Sequence, residues 1–503
     1  MRMAPEGIDV PPEGPSLKVR VARSMFWITW SRGVLQLLSL VTTLVVARIL
    51  VPADYGVMAL ASIWVTSAGL LADMGLGAAI IQFRDLERRE IDTCFWITML
   101  LAVVSYAVLS LAAPIIALWF DSPPLAGVLP VVALVLPLTA CRVVSDSLLR
   151  KRLALDRVAQ AEVIGSLVTL PVLLGCALAG MGVWALVVGY LMSPLVRTIA
   201  TYVFVPWRPG LRLGGKRVRE VIGFSLATLG VRMMWVLRES VDELVVGKVT
   251  GQVSLGLYTM AKELALMPNH KIATVINMLS SPVMAELQAN IDAMRAALYR
   301  AVRLSAAIVI PTSAGIALVA NEMVPALLGP KWVPAIPILR LLSFYAAVRA
   351  IDALLPPVLF ARHRERFLLW YTLILLAVVL PAAILGALWD GAAGVVLFST
   401  PVYCVVMVFM AREALAELNG RLTELWLETW PVFAAAAAMA AVVLLTREFA
   451  LAGQSGSPWP NLIVLSVIGA VTYGATLLAI GSPVIGEGVE VVGWVLKRGH
   501  ARR

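Results

Sequence analysis

Two arginines, Arg32 and Arg232, lie inside long apolar runs and have no acidic residue three or four positions away. An ionised side chain at the centre of a bilayer costs on the order of 3 kcal/mol, so such residues face a helix-bundle interior or a hydrated cavity. The planar guanidinium donates two parallel hydrogen bonds to a phosphate group. We therefore expect Arg32 and Arg232 to contact an anionic substrate, and the geometry of arginine suits a phosphate group.

Further charges inside apolar runs admit two interpretations. Cations can extend a cationic cavity for the same anion, and acids can bind a coupling ion. Alternatively, Arg–Asp pairs three or four positions apart lie on one helix face, where they can pair. The candidate cavity cations are Arg142, Arg238, Lys262 and Arg349, and the candidate coupling or pairing acids are Asp73, Asp146, Asp242, Glu243 and Asp352. The proposed same-helix pairs are Arg142 with Asp146, Arg238 with Asp242, and Arg349 with Asp352.

Residue patterns typical of enzymes are absent from the sequence. The four cysteines lie inside apolar runs without metal-ligand spacing, and no nucleophile–base pair or phosphate loop stands out. The stretch "GLGAAI" (75–80) resembles part of a dinucleotide fingerprint, but its place inside an apolar run favours close helix packing. We expect no catalytic residues, no metal and no cofactor, and the coupling ion stays open.

The elements that must position these charges are apolar helices. The chain is 60% hydrophobic and 14% charged, whereas soluble domains are about half apolar and a quarter charged. About fourteen apolar runs reach the length of a membrane span, which predicts an all-α integral membrane protein. When the loops are assigned alternately to two sides, most Lys and Arg fall on one side, which predicts an even number of spans and cytoplasmic termini. The net charge of +10 then reflects topology and contact with membrane lipids, and we expect no nucleic-acid partner.

A weak internal repeat appears when the sequence is shifted by about 200 positions. "ARILVPADYGVMALA" (47–61) lies over "GKVTGQVSLGLYTMA" (247–261), so that Arg48 meets Lys248 and Gly56 meets Gly256. The repeat predicts a duplicated unit of six spans in parallel orientation, followed by two appended spans.

The same stretch predicts a tight turn between the first two spans, in which Pro52 ends the first helix, Asp54 caps the second and Gly56 permits close packing. A second echo places "RVVSDSLL" (142–149) over "RAIDALL" (349–355).

The predicted domain organisation follows from the spans and the repeat. Its segments are a cytoplasmic tail (1–24), an N-lobe of six spans (25–205), a cytoplasmic linker (206–219), a C-lobe of six spans (220–413), a linker with the last two spans (414–482) and a basic cytoplasmic tail (483–503).

An ordered set of motifs over roughly residues 20 to 420 resembles bacterial polysaccharide-unit flippases of the multidrug/oligosaccharidyl-lipid/polysaccharide export superfamily. The matching stretches are "ARILVPADYGVMALA" (47–61), "DMGLGAAIIQF" (73–83), "VDELVVGKVTGQVSLGLYTMAKELALMP" (241–268), "LLGPKWVPAIPILRLLS" (327–343) and "LLPPVLFARHRERF" (354–367).

The resemblance implies two six-helix lobes in a V around a central cavity that opens alternately to either side of the bacterial inner membrane. It implies transport of an isoprenoid-diphosphate-linked oligosaccharide from the inner to the outer leaflet, for surface or exopolysaccharide assembly. A polysaccharide polymerase and export machinery are the expected partners. The alternatives are a multidrug or cation antiporter of the same superfamily, or a membrane glycosyltransferase or polymerase of the same pathway.

Overall fold

The computed structural model describes residues 38–83, 86–152, 154–205, 207–211, 214–215, 218–450, 457–481 and 486. The predicted N-terminal tail and Arg32 lie outside these described residues.

The described part of the chain is helical and contains no β-strand. Helices suit long apolar runs because hydrocarbon offers no partner for backbone N–H and C=O groups, which the helix satisfies internally. The helices are α1 (Leu38–Ile49), α2 (Pro52–Asp73), α3 (Leu76–Gln82), α4 (Arg88–Trp119), α5 (Pro123–Ala133), α6 (Val135–Lys151), α7 (Leu155–Leu178), α8 (Val183–Phe204), α9 (Val218–Glu286), α10 (Ile291–Leu318), α11 (Ala320–Leu327), α12 (Ile336–Asp352), α13 (Leu355–Ala361), α14 (Glu365–Ala416), α15 (Leu422–Ala450) and α16 (Pro458–Ile480), with a 3₁₀ turn at Pro330–Ala335.

Nine helical segments within the described residues are long and apolar enough to cross a bilayer. The prediction of an all-α, multi-pass membrane protein is therefore confirmed. The count of fourteen spans stays a prediction, since the first expected span is described only from residue 38.

The two longest helices are each interrupted at a glycine with positive φ. Gly251 (φ 81°) divides α9, and Gly391 (φ 56°) divides α14. Glycine adopts this conformation at no steric cost, so both positions give reversals between consecutive spans.

At the turn before α2, the Asp54 carboxylate accepts a hydrogen bond from the Val51 N–H at 3.2 Å. Asp54 is thus the third residue of the helix in a capping box, with Pro52 at the first position.

The chain forms two compact units. Unit 1 comprises the described parts of Met1–Val46, Val65–Leu111 and Leu129–Arg232, and unit 2 comprises those of Ala47–Trp64, Ala112–Val128 and Met233–Arg503. The core of unit 2 includes Leu298 of α10, Leu359 of α13 and Met410 of α14, all fully buried. The predicted lobe boundaries stay predictions.

Within unit 1, hydrogen bonds hold part of the predicted linker against the start of α4. The Trp96 indole donates to the Gly210 carbonyl at 2.9 Å, and the Gly214 N–H donates to the Thr93 hydroxyl at 2.9 Å. These bonds fix the course of the chain at the point where it leaves the first group of spans.

The two halves of α14 approach each other through a pair of glycines. A Cβ on Gly386 would lie 2.1 Å from the Gly394 carbonyl oxygen, and a Cβ on Gly394 would lie 2.0 Å from that of Gly386. Such contact leaves no room for any side chain, as in other close helix pairs built on small residues.

We predict that Gly386→Ala destabilises the protein by about 1–3 kcal/mol, because the added methyl must push two backbones apart. The measurement is the midpoint of thermal unfolding of the purified protein in detergent. Gly474→Ala in α16 is the matched control, since a Cβ there meets nothing within 4 Å. Equal midpoints for the two variants would contradict the close backbone contact between Gly386 and Gly394.

Candidate functional site

Unit 2 contains a group of ionisable residues that α9, α12 and α14 bring together in its interior. We call it the buried charge cluster, and its charged members are Arg238, Glu239, Asp242, Glu243 and Lys262 of α9 with Arg349 and Asp352 of α12. The cluster unites most of the second-half residues that the sequence marked as candidates.

Arg238 and Asp352 form the most enclosed ion pair of the cluster. The guanidinium lies 2.7 Å from the carboxylate, and the Asp352 side chain is only 3% exposed. Asp352 also accepts hydrogen bonds from the hydroxyls of Tyr371 (3.1 Å) and Tyr403. A buried carboxylate with three donors has its lone pairs well satisfied, which is the condition for keeping a charge in an apolar interior.

Lys262 differs from the two arginines because it serves two carboxylates. Its ammonium lies 2.9 Å from Asp242 and 2.8 Å from Glu243, and it also donates to the Glu239 carbonyl at 2.8 Å. Asp242 accepts a further bond from Tyr258 at 2.5 Å. When both carboxylates are ionised, this group carries one uncompensated negative charge, so it has a place for one proton or small cation.

The last pair joins Arg349 to the carboxylate of Glu239. Arg349 lies three positions before Asp352 on α12, yet the two residues bond to different partners, both on α9. The cluster therefore joins α9 to α12 twice, through adjacent residues of α9 and through residues one turn apart on α12.

The three same-helix pairs expected from the sequence are wrong. Arg238 bonds to Asp352, Arg349 bonds to Glu239, and Asp146 bonds to Arg150 at 3.0 Å. In each expected pair the arginine precedes the acid, which is the weaker order on a helix, because side chains lean towards the N-terminus. The observed Asp146–Arg150 pair has the acid first, in the favourable order.

The cluster borders two spaces of different size. Arg238, Asp242, Lys262 and Arg349 line a cavity of about 40 Å³, which is room for water molecules. Lys262 also lines a larger pocket of about 320 Å³, together with Glu243. Lys262 and its two carboxylates thus lie between an internal cavity and a pocket large enough for solvent.

Unit 1 contains the other sequence candidates that lie within the described residues. Arg232 lies 3.3 Å from Asp73 at the end of α2, and the two side chains are 44% and 35% exposed. Asp73 also accepts hydrogen bonds from the N–H groups of Gly75 and Gly77. The acid thus caps α3 and pairs with Arg232 across the fold, a partner that sequence spacing could not reveal. The glycines of "GLGAAI" begin α3, where Gly77 packs against α6, as expected.

Arg142 of α6 differs from the other candidate arginines. It has no acid within ion-pair distance among the described residues, and its Nε atom is buried without a hydrogen-bond partner there. The nearby Arg197 pairs with Glu162 at 2.8 Å. A partly buried guanidinium without an acid partner can bind an anion without first breaking an ion pair.

Three tyrosines of the cluster were not predicted from the sequence. Tyr258, Tyr371 and Tyr403 donate hydroxyl hydrogen bonds to the cluster carboxylates. A signal was available, because a tyrosine inside an apolar span needs a partner for its hydroxyl.

A family model described as "Polysaccharide biosynthesis protein" matches residues 45–337. This is more than half of the chain. The chain belongs to the polysaccharide biosynthesis protein family. The family predicted from the ordered motifs is thereby confirmed.

Two relatives match this chain over most of its length. It is 25% identical over 390 residues to the lipopolysaccharide biosynthesis protein WzxC of Escherichia coli, covering 76% of the chain and 78% of WzxC. It is 24% identical over 463 residues to the succinoglycan biosynthesis transport protein ExoT of Rhizobium meliloti, covering 91% of the chain and 92% of ExoT.

Solved structures identify the fold. The lipid II flippase MurJ in an inward closed conformation matches with a TM-score of 0.72 at 12% identity, over 89% of the chain and 97% of MurJ. An inward-facing MATE family multidrug resistance transporter of the MOP superfamily matches with a TM-score of 0.60 at 15% identity, over 76% of the chain and 96% of the transporter. The family member has the fold that these transporters share.

We predict that Asp352→Ala lowers stability by about 3–5 kcal/mol, since it leaves the Arg238 charge buried without its partner. The midpoint of thermal unfolding in detergent measures the loss. Asp292→Ala is the control, because its carboxylate pairs with Arg295 but is 84% exposed, where an ion pair contributes at most about 1 kcal/mol. The double variant Arg238→Met/Asp352→Leu should recover part of the loss, and a double variant as unstable as Asp352→Ala would contradict the ion-pair explanation.

Proposed function

We propose that the protein is a flippase that moves an isoprenoid-diphosphate-linked oligosaccharide from the inner to the outer leaflet of the bacterial cytoplasmic membrane, for surface or exopolysaccharide assembly. The observation that carries the proposal is the match along 91% of the chain to a protein named for succinoglycan transport. The fold shared with a lipid II flippase supports it.

The physical task sets the requirements of the site. A headgroup with phosphates and sugars cannot cross hydrocarbon, because its charges and hydroxyls would lose their water. A hydrated cavity with cations replaces that water while the lipid tail stays in the bilayer. Alternating access, in which two related halves rock about a central site, moves the headgroup without opening a continuous pore.

The diphosphate-binding role falls first on Arg142, whose guanidinium has no acid partner among the described residues. Arg232 is the second candidate, and a phosphate arriving there competes with the half-exposed Asp73 carboxylate. Arg32 keeps the role predicted from the sequence. Arg238, Arg349 and Lys262 also remain candidates, although their charges already face acids.

The coupling-ion role falls on Asp242 and Glu243, which share one ammonium. Asp73, Asp146 and Asp352 each pair with one arginine, which favours structural pairing for these three acids. Both termini are proposed to be cytoplasmic, and a polysaccharide polymerase and export machinery are the proposed partners on the outer side.

The alternatives have weaker support. A multidrug or cation antiporter would share the fold, yet the sequence relatives named above belong to polysaccharide biosynthesis. The fold that the chain shares with a lipid II flippase and a multidrug resistance transporter gives no support to a glycosyltransferase or polymerase of the same pathway.

Deletion of the gene in the source bacterium should stop polysaccharide from reaching the surface and leave complete lipid-linked repeat units on the inner leaflet. Mass spectrometry of the lipid fraction, with glycosidase access tested in inverted and right-side-out vesicles, measures both amount and side. Complementation with the parent gene is the control. Incomplete repeat units would instead identify a transferase.

Arg142→Gln should reduce surface polysaccharide by at least about tenfold at matched protein level, because charge-assisted hydrogen bonds to the diphosphate contribute about 1.5–3 kcal/mol. Arg150→Gln is the matched control, since Arg150 lies on the same helix and pairs with Asp146 at an exposed position. Normal polysaccharide in Arg142→Gln would exclude this residue from the substrate site.

A further inference from the structure

The two copies of the internal repeat touch each other in unit 2, and they do so reciprocally. A Cβ on Gly56 would lie 1.8 Å from the carbonyl oxygen of Gln252, and a Cβ on Gly256 would lie 1.7 Å from that of Pro52. Pro52 and Gln252 are separated by the same interval as Gly56 and Gly256. Each glycine therefore packs against the same position of the other copy, four residues before the aligned glycine.

The aligned cations Arg48 and Lys248 make the same exchange. Arg48 donates to the carbonyls of Leu327 (2.9 Å) and Ala326 at the end of α11. Lys248 donates to the carbonyl of Trp119, the last residue of α4. Each cation from one copy thus caps a helix that belongs to the other copy.

The carbonyl groups that accept these hydrogen bonds also lie at equivalent positions of the two copies. Trp119 and Ala326 are separated by the same interval as Arg142 and Arg349, which head the second pair of echoing stretches. The last carbonyls of a helix lack partners within the helix and carry its partial negative charge. A cation is therefore a fitting cap at both places.

These contacts have properties that suit a reversible joint. The Lys248 side chain is 38% exposed, and its second partner, Asp121 at 3.3 Å, is 82% exposed, so water can replace either bond. The glycine contacts themselves are between backbone atoms, and Tyr55, next to Gly56, also packs edge to face against Trp332 of the second repeat. Behind them, the fully buried Ser122 donates to the Gln252 side chain at 2.8 Å.

A neighbouring contact of the same kind keeps α1 in place. Lys331 donates to the Ile49 carbonyl at 2.9 Å, and the buried Trp332 indole donates to the Ala47 carbonyl at 2.8 Å. Burial lowers the pKa of the Lys331 ammonium, and the nearby Asp54 carboxylate opposes this shift. The bonds of Lys331 and Trp332 also join the second repeat to the first, so a separation of the repeats at this end breaks them together with the exposed caps.

We propose that Arg48, Lys248, Gly56 and Gly256 form a reciprocal latch that joins the two sequence repeats at one end of their helices and releases once in each transport cycle. The inference rests on the proposed function, because alternating access requires the repeats to part at one end and then at the other. Arg48 and Lys248 act as positioning residues and make no contact with the transported headgroup.

The test measures release directly through a buried thiol. Ser122→Cys is introduced in the full-length protein, which is placed in nanodiscs so that a bulky, charged maleimide reaches both faces. Combining this change with Arg48→Gln/Lys248→Gln should raise the labelling rate of the introduced thiol at least about tenfold, which corresponds to about 1.4 kcal/mol in the opening equilibrium. Arg48→Lys/Lys248→Arg should keep the slow rate.

Two controls separate release from general loosening. Arg295→Gln removes an arginine that also donates to backbone carbonyls, those of Leu418 and Asn419 just after α14, but neither lies in the first repeat, so labelling should not change. The native Cys94, 1% exposed in unit 1, should stay unlabelled in every variant.

An unchanged labelling rate in the double glutamine variant, with Cys94 protected, would overturn the latch. If Cys94 is labelled too, the single variant Lys248→Gln decides: it must speed labelling of the introduced thiol with Cys94 still protected, and otherwise the latch is wrong. The assay uses no substrate, so its failure leaves the proposed function intact. Failure of that function would appear instead in the lipid fraction of the deletion strain.

Discussion

Charges inside the spanning helices must be neutralised by the protein itself, because hydrocarbon provides no water to solvate them. This constraint explains the organisation of unit 2. Arg238 and Arg349 each take one acid from another helix, and Tyr371 and Tyr403 satisfy the remaining lone pairs of Asp352. Removing one member of the Arg238–Asp352 or the Arg349–Glu239 pair leaves the other member without its ion-pair partner, so these pairs fix how α9 and α12 pack. The hydrogen bonds of Tyr371 and Tyr403 to Asp352 add α14 to this arrangement.

The same constraint distinguishes the two units in their capacity for a substrate. In unit 2 the candidate cations already face acids, and only Lys262 has more acid than it can neutralise. In unit 1 Arg142 has no acid partner among the described residues, and Arg232 holds a half-exposed acid. Among the described candidate residues, positive charge without an ion-pair partner thus lies in unit 1, and surplus negative charge lies in unit 2.

Features that depend on local pattern were accessible from the sequence. Apolar run length predicted the helices, and Pro52 with Asp54 predicted the start of α2. The turn sequence predicted close packing at Gly56, although not its partner. The partners of the buried charges could not be predicted from the sequence, because an arginine on one helix can pair with an acid on any neighbouring helix. Only the order of charges on the helix, arginine before acid, argued against the same-helix pairs, and it gave no indication that Arg232 would meet Asp73.

The exchanged contacts of Gly56 and Gly256 have a consequence for the origin of the chain. A contact that occurs twice, with the two partners interchanged, is the mark of a two-fold axis, and separate subunits related by such an axis make it in isologous dimers. A half-length chain with this surface would have the self-complementary contact that an isologous dimer needs. The two copies in this chain are not identical, since one has an arginine where the other has a lysine.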